Sequence, residues 1–189
     1  MRTKIIDVAA LSSGVYAKAG PNADVYYIQA RDISGDHRIV NGMKPELIAD
    51  GKINKHFLQV GDLLVAAKGK DHFAVEYCGQ PQPAVASTLF IVLRVREDAG
   101  LSASYLRWYI NLEGTQKHIA GSAQGSVLQV ISKADLEQLE LPLPSMEKQA
   151  IILKIDELRR KEIAITNQIE LLKSKKIERE LLNALSQQQ

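Results

Sequence analysis

The sequence predicts an α+β protein, with a globular domain of short strands and helices over residues 1–144 and a long C-terminal helical arm over residues 145–189. Three observations predict it. Between residues 25 and 96 the chain holds several short runs rich in β-branched and aromatic residues, separated by Gly- and Asp-containing turns. Leu141-Pro142-Leu143-Pro144 then stops anything helical upstream, because proline lacks an amide donor and biases its predecessor toward extended backbone. Beyond that run neither Gly nor Pro occurs through Leu185, so about 41 residues at roughly 1.5 Å each could form one helix spanning about 60 Å.

Within the domain, Val25-Tyr26-Tyr27-Ile28-Gln29-Ala30 reads as a strand closed by the turn Ser34-Gly35-Asp36. Phe57-Leu58-Gln59-Val60 and Leu63-Leu64-Val65-Ala66 read as extended segments on either side of Gly61-Asp62. Residues 88–96 are apolar through Leu93 and then alternate with Arg94 and Arg96, which predicts a buried strand emerging at the surface. Ser102 is placed to cap a helix that carries Tyr105, Leu106, Trp108, Tyr109, Ile110 and Leu112 and ends near Glu113-Gly114; a second helical stretch is expected over 116–120. Ser145 sits where the N-cap of the arm belongs, with Glu147 in its positive first turn.

The arm carries a seam. Ile151, Leu158, Ile165 and Leu172 recur every seven residues, and Ile155 and Ile169 fall four after the first and third of them. Glu162 and Lys176 interrupt this stripe, and Ile177, Leu181, Leu182 and Leu185 form a second apolar patch, so both one helix with a stutter and two helices fit the pattern. The stripe could dock on its own domain or on a partner helix. A partner is favoured, since so long a stripe needs more apolar surface than a domain this small readily offers.

Composition removes several classes. With 46% apolar and 24% charged residues the chain is ordinary for a globular protein, and a formal net charge of +2 allows nucleic-acid binding without requiring it. The single Cys78 excludes an internal disulfide framework; no apolar run reaches membrane-span length and no secretory leader is visible, so a cytoplasmic protein is expected. No phosphate loop or dinucleotide turn occurs, and His37, His56, His72 and His118 are scattered without metal-ligand spacing. Neither a cofactor, a metal nor a catalytic residue is therefore expected. His72 beside Asp71 reads as an ordinary surface histidine, and Pro45-Glu46 with Asp50-Gly51-Lys52 holds its carboxylates too close together for a nuclease metal site.

A family resemblance organises these readings. Tyr105-Leu106, Ile119-Ala120, Gly125-Ser126, Ile131-Ser132, Leu136, Leu139 and the run Leu141-Pro142-Leu143-Pro144-Ser145-Met146-Glu147-Lys148-Gln149-Ala150-Ile151 resemble the specificity subunit of type I restriction–modification systems, where a target-recognition domain runs into a helical spacer. Upstream, Tyr27-Ile28 with Asp32-Ile33, and 58–65 with Gly69, resemble that family's strand-turn elements. The resemblance implies a DNA reader without catalysis of its own. A full subunit of the family carries two recognition domains separated by antiparallel helical spacers, each reading half of a split site, with methyltransferase subunits docked on the helices. This chain is similar to half of one. Double-stranded DNA and a methyltransferase subunit are the implied partners, with a restriction subunit as a further candidate. A homodimer through Ile151, Ile155, Leu158, Ile165, Ile169 and Leu172 would restore two readers, the arm setting their separation near two turns of DNA. A fragment of a longer subunit would present the same sequence.

The candidate DNA contacts outside the arm are Lys52, Lys55, His56, Lys68, Lys70, Arg94, Arg96, Arg107, Lys117, His118 and Lys133. Lys68-Gly69-Lys70 is the preferred phosphate contact, because glycine permits close backbone approach beside two cations. Gln124-Gly125-Ser126 comes next: Gly121 and Gly125 would let the loop follow a groove, and Gln124 could pair bidentately with an adenine edge. The competing readings are solvated surface charges for the cations and a plain connection for the loop. Tyr16, Tyr26, Tyr27 and Trp108 read as core or half-buried aromatics rather than base-stacking groups. The alternative to DNA recognition is a scaffold or adaptor that binds partner helices through its arm. Convergence of the basic loops on one face would favour DNA, and dispersal would favour the scaffold.

Overall fold

A computed structural model describes residues 2–69, 72–122 and 130–186. Strand β1 (Arg2–Lys4) leads into a single helical turn, α1 (Ile5–Val8), and then β2 (Ala9–Ser13). There follow β3 (Tyr26–Ile28), β4 (Leu63–Ala66), β5 (Ala74–Glu76), β6 (Ala84–Ala86) and β7 (Phe90–Val95). Helices α2 (Ala103–Ile110), α3 (Glu113–Ser122) and α4 (Lys133–Gln138) precede β8 (Glu140–Pro142), and α5 (Met146–Ser186) ends the order. The chain divides into two compact units, Met1–Gln149 and Ala150–Gln189.

The first unit is built on an antiparallel sheet of order β2-β7-β4-β5. β7 lies inside it because residues 90–93 are apolar on both faces, which suits a strand covered on both sides. Leu64 and Ala66 of β4, Val75 of β5, and Phe90 and Val92 of β7 face the parallel β3–β6 pair, burying Ile28, Ala84, Ala86 and Leu58 between them. The opposite side of that pair, through Tyr27 and Val85, closes on Val25, Leu47 and Ile53. This follows the two-residue alternation of strands. The sheet and the pair meet closely at Gly14, where an added Cβ would lie 2.0 Å from the Ser87 carbonyl oxygen. A side chain there would force the backbones apart.

On the other side of the sheet α2 packs on β5, and α4 on α1 and β2. The outer edge of β5 is not left open. Ala74 N donates to Asn111 Oδ1 (2.8 Å) and Ala74 O accepts from Asn111 Nδ2 (2.9 Å); Gln116 makes the same pair of bonds to His72 N and O (3.1 and 3.0 Å). Two carboxamides thus stand in for a missing strand, which covers an edge otherwise free to pair with another chain. Gln149, 1% exposed, ties the first turn of α5 to the same unit by donating to Gly100 O (2.8 Å) and Pro144 O (2.9 Å) and accepting from Ser102 N (2.8 Å).

Several sequence expectations change. Residues 57–60 form no strand; Leu58 N instead donates to Ala84 O (2.9 Å), so the segment serves the β3–β6 pair and not β4. The helix expected to end near Glu113 stops at Ile110, and α3 starts afresh at Glu113. Tyr16 is 76% exposed and not a core aromatic. His72 is 1% exposed and not a surface histidine, since its Nδ1 bonds Ala66 O (3.0 Å) beneath the covered edge of β5.

The second unit continues α5 as one helix through the region where two were conceivable. Ion pairs along it, Lys161 and Lys154 with Glu157, Arg160 with Asp156, Lys173 with Glu170 and Lys176 with Glu180, sit at three- and four-residue spacing. Such neighbours on a helix face each add a few tenths of a kcal/mol of helical bias, about 0.2–0.5. Ser145 Oγ accepts from Lys148 N (3.4 Å) at its start.

Candidate nucleic-acid interface

The strand register gathers loops at one end of the sheet. β2 ends at Ser13 opposite Ile91, β4 ends at Ala66 opposite Phe90, and β5 begins at Ala74 opposite Val65. The chain leaving β4 therefore emerges beside Gly14 and His72. Here Lys68 forms an antiparallel bridge with Val130, and Ile131 N donates to Ala67 O (2.9 Å). The bridge joins the Lys68-Gly69 segment to Val130-Ile131. Gly69 has φ +135, backbone that side-chain-bearing residues rarely adopt. Lys70, Gln124, Gly125 and Ser126 lie outside the described residues.

The cations divide by their partners. Arg94 is committed inward: its Nε and Nη2 donate to Asp62 Oδ1 and Oδ2 (2.7 and 2.6 Å), and the Asp62 side chain is 1% exposed. The hydrogen bonds to Asp62 raise the guanidinium pKa of Arg94 above its ordinary value. Arg96 donates to Asp7 O (3.1 Å), Arg107 lies 3.6 Å from Glu76, and Lys133 pairs with Glu137 at 3.5 Å. Lys117 pairs with Glu113 at 2.6 Å, which lowers the carboxyl pKa and raises that of the amine. Among the described residues, Lys52, Lys55 and Lys68 have no carboxylate partner. These three keep their charge for an external anion.

Lys52 and Lys55 belong to a turn that Asp50 shapes, its Oδ1 accepting from Lys52 N (2.8 Å) and Ile53 N (2.7 Å). Lys55 and His56 line a cleft of about 220 Å³ along β2 with Ser12, Ser13 and Arg94. Its hydroxyls and cations are the groups that commonly hold phosphate oxygens. The structure thus places Lys68 against the 130 segment and Lys55 against Ser12–Ser13, at different stations around the sheet.

A second cleft, of about 390 Å³, escaped the sequence reading. Arg38, Asn41, Cys78, Gln80 and Arg107 line it together with His37 and Glu76. These residues come from the 34–41 turn, the chain after β5, and α2. No local spacing relates them, so only the fold brings them together. Among the described residues no group of three or more His, Cys, Asp or Glu side chains could hold a metal ion, and no helix is long and apolar enough to cross a membrane.

The seam residues of the second unit are all exposed, from 46% at Ile169 to 61% at Ile155, with Ile151, Leu158, Ile165 and Leu172 between. Beside them Glu157 bonds both Lys161 (2.5 Å) and Lys154 (3.0 Å), which holds its carboxyl down at about 2.

The family model described as "Type I restriction modification DNA specificity domain" matches residues 22–174. Solved structures share the fold. They include the HsdS subunit from Thermoanaerobacter tengcongensis, at 16% identity and a TM-score of 0.57, covering 87% of this chain and 38% of that one. The type I restriction-modification system S subunit from M. genitalium matches at 15% identity and a TM-score of 0.54, covering 87% and 40%. A structure concerned with complex assembly and conformational transition of the type I R-M system matches at 18% and 0.56, covering 87% and 39%. This chain therefore spans 38% to 40% of the length of these proteins. No curated protein matches it.

Proposed function

The chain belongs to the family of type I restriction modification DNA specificity domains, and from that premise we propose that it is a DNA-recognition subunit with no catalytic group of its own. Its first unit reads one half of a split double-stranded site in the cytoplasm. The carrying observation is the bridge between Lys68 and Val130. It joins two segments distant in sequence, Lys68-Gly69 and Val130-Ile131, the first bearing a cation without a carboxylate partner among the described residues and glycine-permitted backbone, at a single end of the sheet. It supports a DNA face, where cations fix position on the phosphates and neighbouring polar groups read the bases, through Lys68 alone, since Lys55 stands at another station and Lys117 and Lys133 are paired with carboxylates.

The exposed seam of the second unit supports the remainder of the reading. Six large aliphatic side chains along one helix favour burial against another helix, by on the order of 1.5–3 kcal/mol for each side chain covered. A second copy of this chain would supply two readers related by a two-fold axis, and a methyltransferase subunit, with a restriction subunit beyond it, would assemble on the paired helices.

The test is a salt-dependent titration of the full chain with duplex DNA, comparing wild type with Lys68→Ala. Loss of one phosphate contact should weaken binding to every sequence and shrink the log–log salt slope by roughly 0.9. An unchanged slope would remove this loop from the interface. Failure of the wild type to bind duplex, alone and with a methyltransferase subunit, would instead favour the scaffold reading.

A further inference from the structure

We propose that the cleft between the 34–41 turn, the chain after β5 and α2 reads DNA base edges, with Arg38, Asn41, Gln80 and Arg107 as the reading groups; the proposal rests on the DNA-recognition reading above. The two clefts that flank the sheet differ in chemistry. The one along β2 offers Lys55, His56 and two serine hydroxyls, a set that suits phosphate oxygens. The one beside β5 offers two carboxamides and two guanidinium groups within about 390 Å³, the guanidiniums of Arg38 and Arg107 each facing a carboxylate through Nε, Asp36 at 3.1 Å and Glu76 at 3.6 Å. A carboxamide presents a donor and an acceptor side by side, matching the N6 and N7 edge of adenine, and a guanidinium presents paired donors to O6 and N7 of guanine. A guanidinium fork also fits phosphate, so the two carboxamides carry the distinction.

The groups are also arranged for the task. Asn41 and Gln80 are exposed, so their amides remain available. Arg107 is half-buried and held from within: Ser104 Oγ donates to Glu76 Oε2 (2.7 Å), and the same carboxylate oxygen lies 3.6 Å from Arg107 Nε. That Nε is buried without a hydrogen bond among the described residues. The walls are fixed as well. His37 stacks on Phe73 with ring centroids 4.7 Å apart, and Tyr77 Oη donates to Pro81 O (2.5 Å) just past Gln80. Reading groups on a braced wall lose less freedom on binding.

One lining residue of the cleft, His37, connects through the sheet to the strand that leads to the preferred phosphate contact. Phe73, which carries the His37 stack, accepts through its carbonyl from Ala66 N (2.9 Å), two residues before Lys68. On this proposal Lys68 would hold the backbone at the exit of β4 while the groups following Glu76, at the other end of β5, read base edges.

Cys78 makes the proposal directly testable, because it is exposed in this cleft and is the sole cysteine of the chain. The probe is the duplex enriched by wild-type protein from a random-sequence pool, with the full chain and methyltransferase subunit present. Maleimide alkylation of Cys78 should slow several-fold when that duplex is bound. Gln80→Ala and Asn41→Ala should each relax base preference at one or two positions by roughly tenfold, with the salt slope unchanged. Arg107→Lys, which keeps the charge near Glu76 but loses the fork, should relax preference at a guanine. If the duplex binds while Cys78 reacts at the free-protein rate and the variants keep their preference, the cleft is not a reading site although the DNA reading stands. If the carboxamide variants lose affinity for all sequences equally, they are positioning groups and the proposal fails. If wild type enriches no duplex and binds none, both fall together.

Discussion

The two units of this chain handle apolar and charged residues in opposite ways. In the first, Leu63, Leu64, Leu93, Leu106 and Ile110 are fully buried, and the sheet edge at β5 is closed by the side chains of Asn111 and Gln116. Asp62, the most deeply placed carboxylate among the described residues, is answered by Arg94. In the second, the aliphatic stripe from Ile151 to Leu172 is more than two-fifths exposed at each position, while the ion pairs among the described residues join neighbours one turn apart. The first unit buries its aliphatic side chains and covers its own sheet edge. The other carries a surface that becomes favourable only when covered, which is how a reader and an assembly element differ physically.

If that contrast is right, charge on the seam should produce the largest effect, and it should leave the first unit intact. Ile155→Glu combined with Ile169→Glu removes two side chains whose burial would contribute on the order of 1.5–3 kcal/mol each before association costs. Light scattering and co-purification with the methyltransferase subunit should show loss of assembly. The fluorescence of Trp108, the sole tryptophan and a first-unit residue, should report an unchanged denaturation midpoint. A retained mass together with retained partner binding would show that the seam is elsewhere.

The mirror-image change is Asp62→Ala. It strips the partner from Arg94 and leaves Gln59 N, now bonded to Asp62 Oδ2 at 2.8 Å, without its acceptor. Arg94 is partly exposed and can rehydrate, so about 2–3 kcal/mol of stability should be lost. Urea denaturation followed by Trp108 fluorescence measures it. A loss below about 0.5 kcal/mol would mean that the pair contributes no more than an ordinary surface ion pair.

Smaller effects separate the cations. Lys68→Ala should weaken DNA binding and flatten its salt dependence, whereas Lys133→Ala, whose charge is answered by Glu137, should leave both nearly unchanged. Titrations at several salt concentrations distinguish them, and equal slopes for the two variants would undo the division between free and committed cations. Lys52→Ala and Lys55→Ala should follow Lys68→Ala if the β2 cleft also holds a phosphate.

The smallest effect concerns acid. The folded-state pKa of Glu157 is depressed to about 2 by Lys161 and Lys154, so its contribution is complete above the ordinary carboxylate range and lost as the pH falls through about 2. Helical circular dichroism should decline modestly between about pH 4.5 and 2 in low salt. Glu157→Gln should lack that part of the decline. An identical titration for the variant would show that the pairs around Glu157 do not support the helix.

What the sequence made legible follows the range of the interactions. The C-terminal helix rests on local rules, namely no Gly or Pro after Pro144, a cap at Ser145 and i,i+4 neighbours, and its helicity was readable, while the choice between one helix and two was not. The buried strand β7 was readable because its apolar run is continuous. The parallel pairing of β3 with β6, the bridge from Lys68 to Val130 and the amide-lined cleft were not, since each joins segments that no period relates. His72 illustrates the same limit. Its burial depends on Gln116 reaching the β5 edge from another element, which nothing near Asp71-His72 announces.

The most direct test of the account is selection from a random pool of double-stranded DNA by the full chain with the methyltransferase subunit present, read by sequencing the bound fraction. The account predicts enrichment of a defined split sequence whose two halves are related by two-fold symmetry. Recovery of unenriched DNA, or of none, would contradict it.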